Sequence, residues 1–139
     1  PQLVRDNWTS LNGTWDFCFD DEERGERRSW YQMWPVNHAQ TIEVPFTYET
    51  KRSGIGDERA HRQIWYRRSI EADAAQLSEG KHLWLHFEGS DFHTKVWVNG
   101  QYVGDHRGGY ARFSFDITRF VKAIENEIVV QVEDSFDSQ

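Results

Sequence analysis

The stretch Val96-Trp97-Val98-Asn99-Gly100-Gln101-Tyr102-Val103 constrains the fold more than any other part of the chain. Asn-Gly supplies the two left-handed positions of a type I′ turn, whose twist matches that of a tight antiparallel hairpin. Residues before the turn alternate, placing Val96 and Val98 on one face and Lys95 and Trp97 on the other. The same period of two recurs along the chain. Trp15, Phe17 and Phe19 oppose Asp16 and Cys18; Ile42 and Val44 share a face; Ile64, Tyr66, Arg68 and Ile70 oppose Trp65, Arg67 and Ser69. Further on, Leu83, Leu85 and Phe87 alternate with Trp84, His86 and Glu88, Phe113 and Phe115 flank Ser114, and Ile128, Val130 and Val132 oppose Val129 and Gln131. Seven or more short strands between polar turns predict an all-β antiparallel sandwich or barrel, and the sandwich is the expectation. Helical patterns between strands, which a parallel sheet requires, are missing.

The connections carry their own expectations. Residues 20–28 are mostly charged and read as a solvated loop. Trp30 and Trp34 belong to a short segment that lays two rings on the body before Pro35. Residues 46–62 form a long loop, a class that is commonly either functional or disordered, and residues 73–80 form a polar connection. Asp116 or Thr118 is expected to cap a single helical turn from Arg119 to Lys122. Arg67 and Arg68 point opposite ways in one strand, so one of them is covered. A covered guanidinium requires a partner, for which Glu88 on the next strand is the candidate.

A chain of 139 residues suits one domain, 1–139, with a core of its own. Its formal charge of −7, from 23 acidic and 16 basic side chains, repels nucleic acid and anionic membrane surfaces. The basic cluster between Arg24 and Arg28 is interrupted by Gly25 and Glu26. An apolar run of the roughly 20 residues that span a bilayer is absent. The start lacks a basic segment leading into an apolar one, which favours a cytoplasmic setting. Cys18 is the sole cysteine, so no intrachain disulfide forms. Seven Trp, five Tyr and nine Phe suit the filling of a β core.

Little in the residues points to catalysis by this chain alone. The histidines are scattered, and His82 and His86 on a strand stand about 13 Å apart, too far to share a metal ion. No Gly-x-Ser-x-Gly elbow is present, and the glycines around His106 follow a hairpin strand without opening a helix, the wrong setting for a phosphate cradle. Glycoside hydrolysis needs two carboxylates about 5–9 Å apart. Asp91, Asp105, Asp116, Asp134 and Asp137 are available, with nothing in the sequence to select a pair.

The motifs taken in order do resemble a known family. Leu11-Asn12-Gly13-Thr14-Trp15-Asp16-Phe17, Val44-Pro45, Trp65-Tyr66-Arg67-Arg68, Leu85-His86-Phe87-Glu88-Gly89 and Val96-Trp97-Val98-Asn99-Gly100 lead the series. Gly104, His106, Gly108-Gly109-Tyr110, Phe113, Phe115-Asp116-Ile117-Thr118 and Asn126 complete it. The whole resembles the amino-terminal sugar-binding domain of family-2 glycoside hydrolases, most like that of a β-galactosidase. The resemblance implies a jelly-roll sandwich that shapes a pocket for a β-linked sugar. It packs on immunoglobulin-like and TIM-barrel domains, and the barrel holds both catalytic glutamates. It further implies that Asp137, and with it Asp134, accepts hydrogen bonds from sugar hydroxyls. Trp97, His106 and Arg107 become candidates for sugar or domain contacts. No cofactor and no metal are implied within this stretch, and Mg or Na ions at most in the parent enzyme. Family members continue past the equivalent of Gln139 into one more strand. On that basis the chain is expected to be a fragment lacking its last strand, open to strand-edge pairing between chains. Two alternatives stand beside this reading: an independent carbohydrate-binding module and a protein-interaction sandwich.

Overall fold

A computed structural model describes residues 1–4, 8–37, 40–44, 51–57, 59, 61–72, 81–88, 93–108 and 112–133. They form the strands β1 (Gln2–Val4), β2 (Trp8–Ser10), β3 (Gly13–Phe19), β4 (Gln40–Val44), β5 (Gln63–Glu71), β6 (Trp84–Phe87), β7 (His93–Val98), β8 (Gln101–His106), β9 (Phe113–Asp116) and β10 (Glu125–Glu133). Single 3₁₀ turns occupy Lys51–Ser53 and Thr118–Phe120. The first lies inside the long loop read from the sequence. The second falls one to two residues before the Arg119–Lys122 turn expected, and its N-cap is Ile117 with no side-chain cap bond, while Asp116 Oδ1 accepts from the Thr118 N–H and hydroxyl.

Pairing is antiparallel throughout the described ladders. One sheet has the order β2-β1-β6-β9 and the other β4-β3-β5-β10-β7-β8, so the chain crosses repeatedly between two layers, as a jelly roll does. β10 is the spine of the larger sheet, pairing with β5 over its full length and with β7 on its other side. The inward residues of the alternations meet between the layers. Trp15, Phe17, Ile42, Ile70, Val96, Val98, Ile128 and Val130 from the large sheet pack with Leu3 and Leu85 from the small one.

The hairpin predicted at Asn99-Gly100 is present, with φ of 51° and 77° at the two positions. Asn99 does more than turn the chain. Its Nδ2 donates to the Phe120 carbonyl and to Asn126 Oδ1, and its Oδ1 accepts from the Glu127 N–H. Buried Asn126 then donates to the carbonyls of Ala72 and Lys122. Two side-chain amides thus tie the hairpin tip to β10 and to the loop before it.

The outward face of the large sheet is not the polar face that alternation suggests. Cys18, Trp65, Trp97 and Val129 lie there in a second apolar cluster, covered by Trp30, Tyr31 and Trp34. The solvated loop expected at residues 20–28 is therefore the start of a lid over residues 20–37. Its charged side chains point outward, while Asp20 and Gly25 are buried beneath it. Rings of this size bury about 150–250 Å² each, worth about 4–6 kcal/mol apiece as an upper bound. A gain of that order decides against a loop left in solvent.

Candidate functional site

Asp20 organises the lid. Its carboxylate, 3% exposed, accepts from the Arg24 N–H at 2.7 Å, the Gly25 N–H at 2.8 Å and the Trp65 indole N–H at 2.9 Å. Gly25 lies so close to the Trp65 ring that a Cβ there would stand 2.4 Å from Cε2 and Cζ2. The lid then carries Tyr31 over Trp97, parallel within 4° at 5.1 Å, and Trp97 in turn stacks on Trp65 at 5.2 Å.

At the edge of this stack the structure opens a cleft. In the β7–β8 ladder Val96 opposes Gly104 while Trp97 opposes Tyr102, leaving Val103 as an extra bulged residue. Without that extra residue the phase of two would put Gly104 opposite Lys95 on the outward face and turn Asp105 inward. With it, Val103 packs on the core and Asp105 joins Lys95 on the outward face. There Tyr102, placed opposite Trp97 by the two-residue turn, stands beside it with ring centroids 5.6 Å apart. Glu26, Tyr31, Lys95, Trp97 and Tyr102 line a cleft of about 310 Å³. Lys95 Nζ meets Glu26 Oε1 at 2.5 Å across it. Burial, and then the charge of Asp105, push the Tyr102 phenol up to about 12. The hydrogen bond from His93 Nε2 at 2.7 Å, joined by one from Tyr102, outweighs desolvation and holds Asp105 below the usual carboxylate range.

Of the residues singled out by sequence, Trp97 is the floor of this cleft, 5% exposed under Tyr31. His106 ends β8 on the inward side, its ring stacked on Phe113 at 4.0 Å and its Nδ1 buried without a hydrogen-bond partner. Arg107 follows it, exposed. The structure does not bring His106 and Arg107 to the Trp97 cleft. Asp134 and Asp137 lie outside the described residues, as do Asp91, Gly109 and Tyr110. Glu133, the last described residue, pairs in register with His93 and accepts from Gln63 Nε2.

Comparison with known proteins decides the family. Residues 8–139 match the sugar binding domain of the family-2 glycosyl hydrolases. The chain belongs to that family. It is 33% identical over 126 residues to a β-galactosidase of Thermoanaerobacter pseudethanolicus, a stretch that covers 88% of this chain and 15% of the relative. A β-glucuronidase of Paenibacillus borealis is 29% identical over 136 residues, covering 93% of this chain and 21% of its own. The solved β-glucuronidase of Ruminococcus gnavus superposes with a TM-score of 0.73 at 26% identity, over 96% of this chain and 21% of that one. The chain thus spans about a fifth or less of the length of these relatives.

Within this family-2 domain several further charged side chains are tied into the scaffold. Arg67 bridges Asp16 and Glu127, at 2.9 and 2.8 Å, on the outward face. Arg68 reaches the carbonyls of Leu11 and Asn12 and lies over Trp15. Glu88 pairs with Arg112 rather than with either of them, which corrects the expectation from sequence. Register explains the difference: Asp16 stands directly opposite Arg67 on β3, whereas β6 belongs to the other sheet. His61 sits between Asp21 and Asp57 and stacks on Phe19. The side-chain hydrogen bond from Arg59, then its backbone N–H, holds Asp57 far below the usual range. On the small sheet His82 binds Asp116 and His86 binds Ser114, so the two rings have separate partners. Among the described residues no group of three or more His, Cys, Asp or Glu side chains could hold a metal ion. Burial, and then the charge of Asp20, raise the Cys18 thiol to about 11, which makes it a packing group and not a nucleophile.

Proposed function

We propose that this domain is the amino-terminal sandwich of a longer retaining β-glycosidase, forming one wall of the sugar pocket and leaving bond cleavage to carboxylates of another segment. The observation that carries this reading is the family match over residues 8–139 in a chain that accounts for only 15% of a β-galactosidase relative. Asp105 and Asp116 support it: one is bound by His93 on the large sheet, the other by His82 on the small sheet, so they form no acid–nucleophile pair across one cleft. In the parent, Asp137 and Asp134 accept hydroxyl hydrogen bonds from the sugar, and immunoglobulin-like and barrel domains pack on the sandwich. Any Mg or Na ions belong to those domains.

A β-galactoside is the first substrate class, on the strength of the 33% identical relative. The likeness to the Ruminococcus gnavus enzyme favours a β-glucuronide as the second reading. Chromogenic β-galactoside and β-glucuronide, offered to the 139-residue chain and to the product of the whole reading frame, provide the test. The chain alone should release no chromophore above buffer, while the longer product turns over one of the two. In that product Asp137→Asn should raise KM more than it lowers kcat. Turnover by the isolated chain, or a longer product inactive on both glycosides, overturns the proposal.

A further inference from the structure

The geometry points to a binding site for a single neutral pyranose ring in the cleft lined by Glu26, Tyr31, Lys95, Trp97 and Tyr102, with the sugar stacked on Tyr102. Four features of the cleft converge on that ligand, and none depends on which glycoside a parent enzyme cleaves.

Size comes first. A volume of about 310 Å³ lies at the lower end of small-molecule pockets, enough for one ring and its substituents rather than an oligomer. Shape and polarity come next. Tyr102 is 49% exposed, an aromatic ring held outward directly opposite Trp97. An aromatic face next to polar groups suits a ring with an apolar C–H side and a hydroxyl rim.

Charge selects among such rings. Lys95 and Glu26 form a matched pair, so the lining presents donors and acceptors with no net charge between them. Lys95 keeps two N–H donors beyond the one given to Glu26, and the second Glu26 oxygen remains an acceptor. Asp105 beside Tyr102 adds a negative charge that disfavours anionic sugars. Rigidity is the fourth feature. Asn99 and Asn126 pin the hairpin that carries Tyr102, and the Tyr31–Trp97–Trp65 stack fixes the floor, so little ordering cost remains for binding.

Titration of the 139-residue chain with methyl β-galactopyranoside and methyl β-glucopyranoside, followed by two-dimensional NMR, tests the site. Saturable shifts should centre on the Tyr102 ring, the Lys95 side chain and the Trp97 indole N–H, with a Kd on the order of millimolar, as suits a ligand of a dozen heavy atoms. Methyl β-glucuronide should bind several-fold more weakly. Tyr102→Ala should weaken binding about tenfold or more. Tyr102→Phe, which keeps the ring, should stay within about threefold of the parent chain. Lys95→Met supplies an independent variant, expected to weaken binding several-fold without touching the ring. Three results each overturn the proposal. They are no saturable shift at ~100 mM sugar, binding undiminished in Tyr102→Ala and Lys95→Met, and footprinting of the longer protein that finds Tyr102 and Lys95 already covered by another domain in the absence of sugar.

Discussion

Replacing Asp20 should cost this domain more than any other single charge removal on the large sheet. The carboxylate accepts three N–H groups, two of them, from Gly25 and Trp65, in buried positions. Hydrogen bonds to a charged acceptor contribute about 1.5–3 kcal/mol each, and a buried donor left alone keeps its full desolvation penalty. Asp20→Ala strands the Gly25 and Trp65 donors, while the Arg24 N–H, in a half-exposed residue, can turn to water. Two stranded donors sum to about 3–6 kcal/mol, and relief from burying a charge returns part of that. The net expectation is about 2–5 kcal/mol, a large share of the 5–15 kcal/mol typical of a domain. Asp20→Asn keeps the shape and one acceptor oxygen, which can still serve Gly25 and Trp65, so it should lose only about 1–2 kcal/mol. Urea unfolding at pH 7, followed by indole fluorescence, measures both, with near-ultraviolet dichroism reporting the stack of Trp65, Trp97 and Tyr31. Trp65→Phe removes the indole donor together with part of a buried ring, and its double-mutant cycle with Asp20→Ala, which cancels the shared packing loss, should show about 1–2 kcal/mol of coupling. An Asp20→Ala loss below about 1 kcal/mol, the size expected of a surface change, would refute the assignment of Asp20 as the anchor of the lid.

Two further outcomes follow from the same packing. Gly25→Ala drives a methyl group to 2.4 Å from the Trp65 ring inside a stack with no free side; it should cost at least about 2 kcal/mol in urea melts, and a neutral result would mean that the lid stands off the sheet. Asp105 and Asp116 both have carboxyls held below their ordinary value of 3.8, Asp105 chiefly by His93, and Asp116 by Thr118 and His82 against desolvation. A depressed carboxylate stabilises the fold above its unfolded value and loses that contribution as pH falls toward the folded value. The urea midpoint should therefore decline below about pH 4, and the Asp105→Asn, Asp116→Asn double variant should show a shallower acid limb; an unchanged limb contradicts the assignment.

What alternation can and cannot report explains which parts of the site were legible. Period-two patterning identifies the apolar face of a strand, and the core residues from Trp15 to Val130 fall where it places them. The Asn99-Gly100 turn was legible because two positive φ angles in succession select few residue types. Alternation says nothing about whether the opposite face meets water or the chain's own loop. Asp16, Cys18 and Gln131 look alike as a polar face, yet Cys18 and Gln131 are buried beneath the lid. The tell was available in Trp65 and Trp97, two large rings on a face otherwise read as polar, with Trp30 and Trp34 nearby to cover them. Asp20 offered no such sign, because one carboxylate in a run of four acidic residues does not announce which of them is buried.

The bulge at Val103 is the harder case, and it governs the cleft. A single extra residue leaves composition and turn signals untouched while reversing the facing of everything on its far side. From sequence, Tyr102 and Val103 are merely the return strand of a hairpin. Only the register, with Val96 on Gly104 and Trp97 on Tyr102, shows that Gly104 is turned inward and Asp105 brought to the face of Lys95, beside the Tyr102 that the two-residue turn places opposite Trp97. Gly104 is the residue that permits it: a Cβ there would meet the Phe115 ring at 3.2 Å, so the strand can press inward at this point only without a side chain. The family motif includes both Gly104 and Trp97, and the structure supplies the reason they act together. One lets the hairpin sit tight against β9, and the other forms the floor on which the opposing Tyr102 leans. Filling Gly104 should therefore disturb the cleft from the opposite side of the sheet.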